Sequence, residues 1–387
     1  MHVAVNTRFL LPGDRLEGLG RFSHEVLQWL VRQHPDVTFH FLFDRKFDRR
    51  YCYAPNVVPH VLLPPARHPL LFAAWLEGAV AAWLRRHRPA VFLSLDGFTT
   101  LSTRVPRVTV LHDLAYEHYP LDVNWLQRRY YQYFMPRFVR ASCQLVAVSE
   151  ATRQDLVQTY GLPAERIRVA YNAPAAIFQP QPPAPLALAD EQAATRRRYA
   201  GGQPYFLFVG ALQPRKNLAN LLRAFDLFKQ QGGVGTAAAQ LLIVGREAWR
   251  AGPIFSAYEQ MQHGRGAVRF TGRVADAALA ALYRAALATV YVPYFEGFGL
   301  PIVEAQASGC PVLTARASSM PEVAGAGGAV LADPFSPADI AAGLGRLWQE
   351  PALRAALQEQ GTANLRRFSW ERSAEVLWQA ISSSGQG

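Results

Sequence analysis

The chain has 387 residues and a mass of 43.0 kDa; half of it is apolar, 18% is charged, and the mean hydropathy is −0.01. That composition excludes a disordered chain, and the length suits two domains of about 170–200 residues better than one small core. The net charge is +11 with pI ≈ 9.8, and 37 of the 40 basic residues are arginine, so an acidic partner is expected: nucleic acid, an anionic membrane surface or a phosphorylated small molecule.

The chain opens on HVAVN (2–6). The start MHVAVNTRFLL carries Asn6 and Arg8 and has no basic stretch before it, so it reads as a strand and not a signal peptide. A helix pattern runs from Gly20 to about Gln33. Strands follow at 37–43 and 57–63, then a helix through LFAAWLEGAVAAWL, then strands at 90–95, 107–113, 143–149 and 167–172. Strands alternating with helices predict a parallel sheet covered on both faces. The alternation stops in the Pro-rich stretch around QPQPPAP (179–185) and restarts at PYFLFVG (204–210). Strands are then predicted at 239–245, 267–272, 288–293 and 310–315. Helices are predicted at 217–231, 275–286, 300–308, 336–348, 351–366 and from Ser369. The expected division is a first α/β domain over 1–178, a linker over 179–203, a second α/β domain over 204–368, and a C-terminal helix, 369–387, packing back on the first domain. In such sheets ligands bind at the carboxyl ends of the strands.

Three cysteines, Cys52, Cys143 and Cys310, are far apart and lack CxxC spacing. They suggest neither a disulfide framework nor a zinc site and fit a reducing compartment. The longest apolar stretch, Pro69 to Leu84, holds Glu77 and is too short to span a bilayer. A cytoplasmic protein is expected, peripheral at most to the inner face of a membrane.

The strongest candidate site is Glu296-Gly-Phe-Gly-Leu-Pro-Ile-Val-Glu304, directly after the strand ATVYVP. Pro301 suits the first turn of a helix over 300–308 whose free N–H groups suit an anion. Eight helical positions would separate the two carboxylates by about 12 Å, and glycosidase pairs need roughly 5–9.5 Å. The spacing suits two hydroxyl-binding carboxylates flanking a phosphate group; an ordinary strand–loop–helix turn with surface glutamates is the bland alternative. The second candidate is Gly210-Ala-Leu-Gln-Pro-Arg-Lys-Asn217, again after a strand. Arg215 and Lys216 suit a pyrophosphate, with Asn217 expected as the N-cap of the next helix. A solvated basic turn is the alternative, and the scarcity of lysine argues against it. His112-Asp113 ends a first-domain strand, and Glu17-Gly-Leu-Gly-Arg21 opens the first helix with Gly18 and Gly20. Both are weak signals alone. There is no DxD pair, GxxxxGK[ST], HExxH or GxSxG, which disfavours kinases, P-loop NTPases, zinc proteases and serine hydrolases.

In their order, EGLGR, LHD, VGALQPRKN, FTGRV and EGFGLPIVEAQASGCPV resemble family 4 of the glycosyltransferases, the retaining enzymes of GT-B fold. HDLAYEHYP (112–120) with PRKNL (214–218) is most similar to the bacterial mannosyltransferase-like branch that builds surface polysaccharides. The resemblance implies two Rossmann-like domains with parallel sheets facing across a cleft, and a GDP- or UDP-linked sugar donor held by the C-terminal domain. Arg215 and Lys216 would bind the donor pyrophosphate, Glu304 the ribose, and Glu296 the transferred sugar. Phe298, Gly299 and Leu300 would offer backbone N–H groups, and Arg273 and Val274 would stand near the nucleobase. His112 would sit near the transferred sugar and the acceptor, and Gly18 and Gly20 would shape the first-domain side. Ala211 stands where the family often has arginine, so Arg215 is left to supply that charge. No metal or other cofactor is expected. The acceptor would be a glycan or a lipid-linked glycan. Two basic aromatic stretches, Pro69 to Arg88 and 125–140, suit an anionic membrane surface, with ordinary buried-aromatic helices as the alternative. The rivals are a GT-B nucleotide-sugar epimerase or phosphorylase and, behind them, a basic nucleic-acid-binding protein, which the dispersed charges disfavour.

Overall fold

The computed structural model describes residues 1–13, 16, 18–179, 185–248 and 251–385. The chain divides into two compact units, Met1–Asn172 with Ser369–Gly387, and Ala173–Phe368.

The first unit holds seven strands: β1 (His2–Asn6), β2 (Thr38–Phe43), β3 (Val57–Val61), β4 (Val91–Ser94), β5 (Arg107–Leu111), β6 (Gln144–Ala147) and β7 (Ile167–Val169). All neighbours are parallel, in the order β3-β2-β1-β4-β5-β6-β7. Helices cover both faces, so the inner strands are apolar at nearly every position instead of alternating. Helix Gly18–Gln33 buries Phe22, Val26, Leu27, Leu30 and Val31, the stripe that a helical period produces. The C-terminal helix, Trp370–Ser384, starts at Ser369, whose side chain accepts from Arg372 N–H, and packs on helix Gly18–Gln33. Trp370 meets Phe22 edge-on at 5.9 Å, and Trp378 stacks on His34 at 3.7 Å. The long helix pattern after β3 is three consecutive pieces, Pro69–Ala73, a π-helical Ala74–Val80, and Ala81–His87.

The second unit holds β8 (Tyr205–Val209), β9 (Gln240–Val244), β10 (Val268–Gly272), β11 (Ala288–Tyr291), β12 (Val312–Ala315) and β13 (Val330–Ala332). They form a parallel sheet in the order β10-β9-β8-β11-β12-β13. The strand order turns beside β8 and β11, and the loops after these two strands are the strongest candidates named from the sequence.

Three expectations differ from the structure. The first unit closes at Asn172 and not at 178. The expected linker, 179–203, becomes helix over Pro185–Ala200, within the second unit; residues 180–184 lie outside the described residues. That helix packs on helix Asp276–Ala285, where Gln192 Nε2 and Arg196 Nε donate to the carbonyls of Arg284 and Ala285 at 2.8 and 3.0 Å. Ala-rich, charged sequence propagates helix well, but its weak apolar stripe hides it from a periodicity reading. The short strand β13 was not expected.

Candidate active site

In the second unit the loop after β8 forms a 3₁₀ turn, Pro214–Lys216, and helix Leu218–Gln231 follows. Asn217 was expected as a side-chain cap and is not one. It adopts a left-handed conformation, φ 61°, and its Nδ2 donates to the carbonyls of Val292 and Pro334 at 2.9 and 2.6 Å. Asparagine tolerates this region better than most residues, and its amide ties the β8 loop to the chain beyond β11. Tyr294 N–H donates to the Arg215 carbonyl at 3.2 Å, a second tie between the same two loops.

This brings the two sequence candidates together. Lys216 Nζ bonds Glu296 Oε1, and Arg215 Nη1 lies 3.2 Å from the same oxygen. Glu296 is 8% exposed, so its charge is compensated where water is scarce. Its backbone is fixed as well: Ser318 Oγ and Ser319 Oγ donate to the Glu296 carbonyl at 2.6 and 2.8 Å. Ser319 Oγ also reaches the Phe298 carbonyl at 3.1 Å. The Phe298 ring is buried and meets Phe368 edge-on at 5.6 Å. Gly299 has φ 97°, a backbone conformation that favours glycine. Leu300 begins helix Leu300–Ala307, with Pro301 in its first turn. Glu304 is buried one turn inside, and its Oε2 accepts from Tyr283 Oη at 3.0 Å. Burial and the neighbouring Glu304 raise the Tyr283 pKa well above the ordinary phenol value, so Tyr283 donates at neutral pH.

Arg273 and Val274 follow β10, the edge strand, two strands from β8; Arg273 is exposed and Val274 half-buried.

The first unit gathers a different set at its carboxyl edge. His112 follows β5, and its Nε2 donates to the Leu95 carbonyl at 2.8 Å. Phe22 meets the ring edge-on at 5.1 Å. Burial lowers the His112 pKa, which favours the neutral ring with Nδ1 as an acceptor. Asp113 Oδ1 accepts from Ala115 N–H at 3.1 Å, ordinary turn chemistry. Gly20 is buried, and a Cβ there would stand 2.8 Å from the Phe9 carbonyl oxygen. It therefore lets the helix pack on the loop after β1, whereas Gly18 meets nothing within 4 Å.

Sequence reasoning missed several residues of both edges. Tyr291 Oη accepts from Lys216 Nζ at 2.8 Å. Arg8 Nε donates to Asp96 Oδ2 at 2.5 Å, and the same oxygen accepts from Asn6 Nδ2 at 3.0 Å. Among the described residues no group of three or more His, Cys, Asp or Glu side chains is arranged to hold a metal ion.

Two cations thus close on a buried carboxylate at the carboxyl end of a parallel sheet. The family described as Glycosyl transferases group 1 matches residues 191–364, and that described as Glycosyltransferase Family 4 matches residues 16–173. The O-antigen chain mannosyltransferase B of Escherichia coli is 30% identical over 314 residues, spanning 79% of this chain and 78% of that protein. The chain belongs to the glycosyltransferases of group 1 and family 4.

The two family matches fall one in each unit of this glycosyltransferase. It is 33% identical over 255 residues to the D-inositol 3-phosphate glycosyltransferase of Acidothermus cellulolyticus, a match spanning 62% of this chain and 53% of that protein. Among solved structures, WaaG, a glycosyltransferase involved in lipopolysaccharide biosynthesis, superposes with a TM-score of 0.74 at 18% identity, covering 98% of this chain and 99% of that one. Anabaena Alr3699/HepE in complex with UDP-glucose gives 0.74 at 18% identity, covering 99% and 100%. At these identities they speak to fold, and the fold of this glycosyltransferase is GT-B. No helix among its described residues is long and apolar enough to cross a membrane.

Proposed function

We propose that this glycosyltransferase is a retaining hexosyltransferase that moves a mannose-like sugar from a GDP- or UDP-linked donor to a glycan or a lipid-linked glycan. The observation that carries the reading is the convergence of Arg215, Lys216 and Glu296 where the strand order turns. The mannosyltransferase relative supports the sugar, and the UDP-glucose complex of a structural neighbour supports a nucleotide-sugar donor.

In this reading Arg215 and Lys216 take the pyrophosphate, with the N–H groups of Phe298, Gly299 and Leu300 beside them. Glu296 accepts from hydroxyls of the transferred sugar. Glu304, oriented by Tyr283, accepts from the ribose. Arg273 and Val274 bound the base. His112 accepts from the transferred sugar on the side of the acceptor, where Gly18 leaves room and Gly20 lets the first helix pack close on the loop after β1. The bond between sugar C1 and the β-phosphate oxygen breaks, and its electron pair leaves with the diphosphate. The acceptor oxygen bonds C1 from the same face, and its proton passes to the departing phosphate. Positive charge fixed where negative charge develops is the largest electrostatic contribution open to such a site, and two side-chain cations supply it without a divalent metal.

A peripheral, cytoplasmic-face location fits a lipid-linked acceptor. Leu121, Trp125 and Leu126 are 73%, 71% and 51% exposed, ahead of Arg128 and Arg129. Apolar and basic groups side by side suit an anionic bilayer.

The reading is tested by thermal stabilisation with GDP- and UDP-sugars, since a bound donor raises the melting temperature by mass action. The donor that stabilises is then offered to glycan acceptors, with and without EDTA, and the anomeric configuration of the product is read by NMR. Retained configuration and EDTA-insensitive transfer are expected. A converted sugar still attached to its nucleotide identifies an epimerase instead.

A further inference from the structure

Tyr291 ends β11, a strand flanked by β8 and β12, and its side chain is fully buried. Thr314, its register partner on β12, donates from Oγ1 to the Tyr291 carbonyl at 2.6 Å. The ring lies 6.3 Å from that of Phe208. A ring so enclosed cannot swing, so its oxygen has one location. There it accepts from Lys216 Nζ at 2.8 Å, while the same ammonium bonds Glu296.

The other end of Lys216 is held separately. Asn217 ties the adjoining backbone to Val292 and Pro334. The strand thus fixes the base of the lysine through its continuation and the tip through its last side chain. Between the two runs a four-carbon stem, among the most flexible of side chains. At the tip, Tyr291 and Glu296 play unequal parts. Glu296 is assigned to the hydroxyls of the transferred sugar, so donor binding draws it from the ammonium. The phenol, itself hydrogen-bonded to Glu296, is fixed in the strand and keeps its place on the ammonium when the carboxylate is drawn away.

We propose that Tyr291 is the positioning residue for Lys216: its hydroxyl keeps the ammonium at the point where charge develops on the departing diphosphate. This rests on the donor reading above. The phenol makes and breaks no bond to substrate. Burial, with Glu296 nearby, raises its pKa well above the ordinary value, so it stays protonated and keeps accepting from the ammonium. Its removal therefore bears most on the species with the most charge at the diphosphate, which is the nucleoside diphosphate product and the transition state that leads to it, and least on the intact sugar nucleotide.

The test is a double-mutant cycle of Tyr291→Phe and Lys216→Ala. It is read by affinity for GDP and UDP, and by turnover of GDP-mannose and UDP-glucose. Tyr291→Phe keeps the ring, and its melting temperature is expected within about 4 °C of the parent. It should weaken nucleoside diphosphate binding and lower kcat about tenfold, while the KM for the sugar nucleotide moves less than about threefold. With Lys216→Ala already present, it should change neither. Equal losses in both backgrounds, or a loss confined to KM, overturn the assignment of Tyr291 and leave the donor reading standing. A parent chain that binds neither GDP nor UDP overturns the donor reading and Tyr291's role with it.

Discussion

The two units have parallel sheets of closely similar strand order and opposite chemistry at the carboxyl edge. In the second unit, the half-buried Lys216 and Arg215 meet the buried Glu296, Tyr291 accepts from Lys216, and Tyr283 donates to Glu304. In the first, the edge is aromatic and neutralised: Arg8 is paired with Asp96 and lies 4.4 Å from the ring centroids of both Phe9 and Phe72. His112 there is neutral by burial. The sheet supplies an address at its strand ends, and the loop residues decide what is bound there. A charged edge is the one proposed to take the diphosphate, and the aromatic one with paired polar groups the one proposed to face the acceptor.

The sharpest way to break this comparison is to remove the charge from one edge. Lys216→Ala is expected to lower turnover by roughly 10²–10³ and to weaken GDP or UDP binding. Breaking a buried ion pair usually destabilises by about 3–5 kcal/mol. Here Arg215 remains 3.2 Å from Glu296, so the melting temperature should fall only modestly. Near-normal transfer would sink the division of labour between the units. The matching change in the first unit, His112→Ala, should lower turnover about 10–10²-fold and leave nucleoside diphosphate affinity unchanged by calorimetry. Lost diphosphate binding in that variant would mean that the first edge also holds the donor phosphates.

The two edges were not equally legible in the sequence. The fold was, because parallel strands covered on both faces write themselves as short apolar runs, and helix Gly18–Gln33 as a clear stripe. The loop from Glu296 to Glu304 was legible because glycine and proline punctuate it and two carboxylates bracket it. Tyr291 was not: it ends the apolar run ATVYVP, where a tyrosine reads as core, and only the fold brings its hydroxyl to a lysine 75 positions earlier. Arg8 and Asp96 are 88 positions apart, just beyond the ends of strands β1 and β4, which neighbour only after the crossover is made. Asn217 was placed correctly at the start of a helix and given the wrong task, because its left-handed backbone turns the side chain away from the cap.

A subtler change tests what the charged edge does without substrate. Glu296 lies against both cations, standing where a diphosphate oxygen is proposed to bind. Glu296→Gln removes the competing charge and keeps the shape. It should tighten GDP or UDP binding severalfold while lowering turnover, since the amide is a poorer acceptor for sugar hydroxyls. Weaker diphosphate binding in that variant would show that the carboxylate orients the cations and does not compete for them.

The smallest expected effect separates the units by pH. Nine of the ten histidines lie in the first unit, and three of them form a chain: His2 Nδ1 to His40 Nε2 and His40 Nδ1 to His60 Nε2, each at 3.0 Å. Burial, then the neighbouring imidazoles His60, His2 and His87, lower His40 from 6.5 to about 4. Burial, then Arg50 and Arg21, lower His24 to about 4 as well. A histidine with a lowered folded pKa binds its proton more readily in the unfolded chain. Its contribution to stability is therefore complete above about pH 6.5–7 and is lost as the pH falls from 6.5 towards 4. His40 is partly exposed, so screening leaves an effect of only a few degrees. Calorimetry at pH 7 and pH 5 should show the first unit melting lower at pH 5 and the second little changed, since His263 is the second unit's single histidine. His40→Asn should reduce that difference, because the middle of the chain no longer titrates. An unchanged difference would assign the pH sensitivity to the other histidines lowered by burial, among them His112 and His24, which lies apart from the chain and hydrogen-bonds the Tyr53 hydroxyl at 2.8 Å.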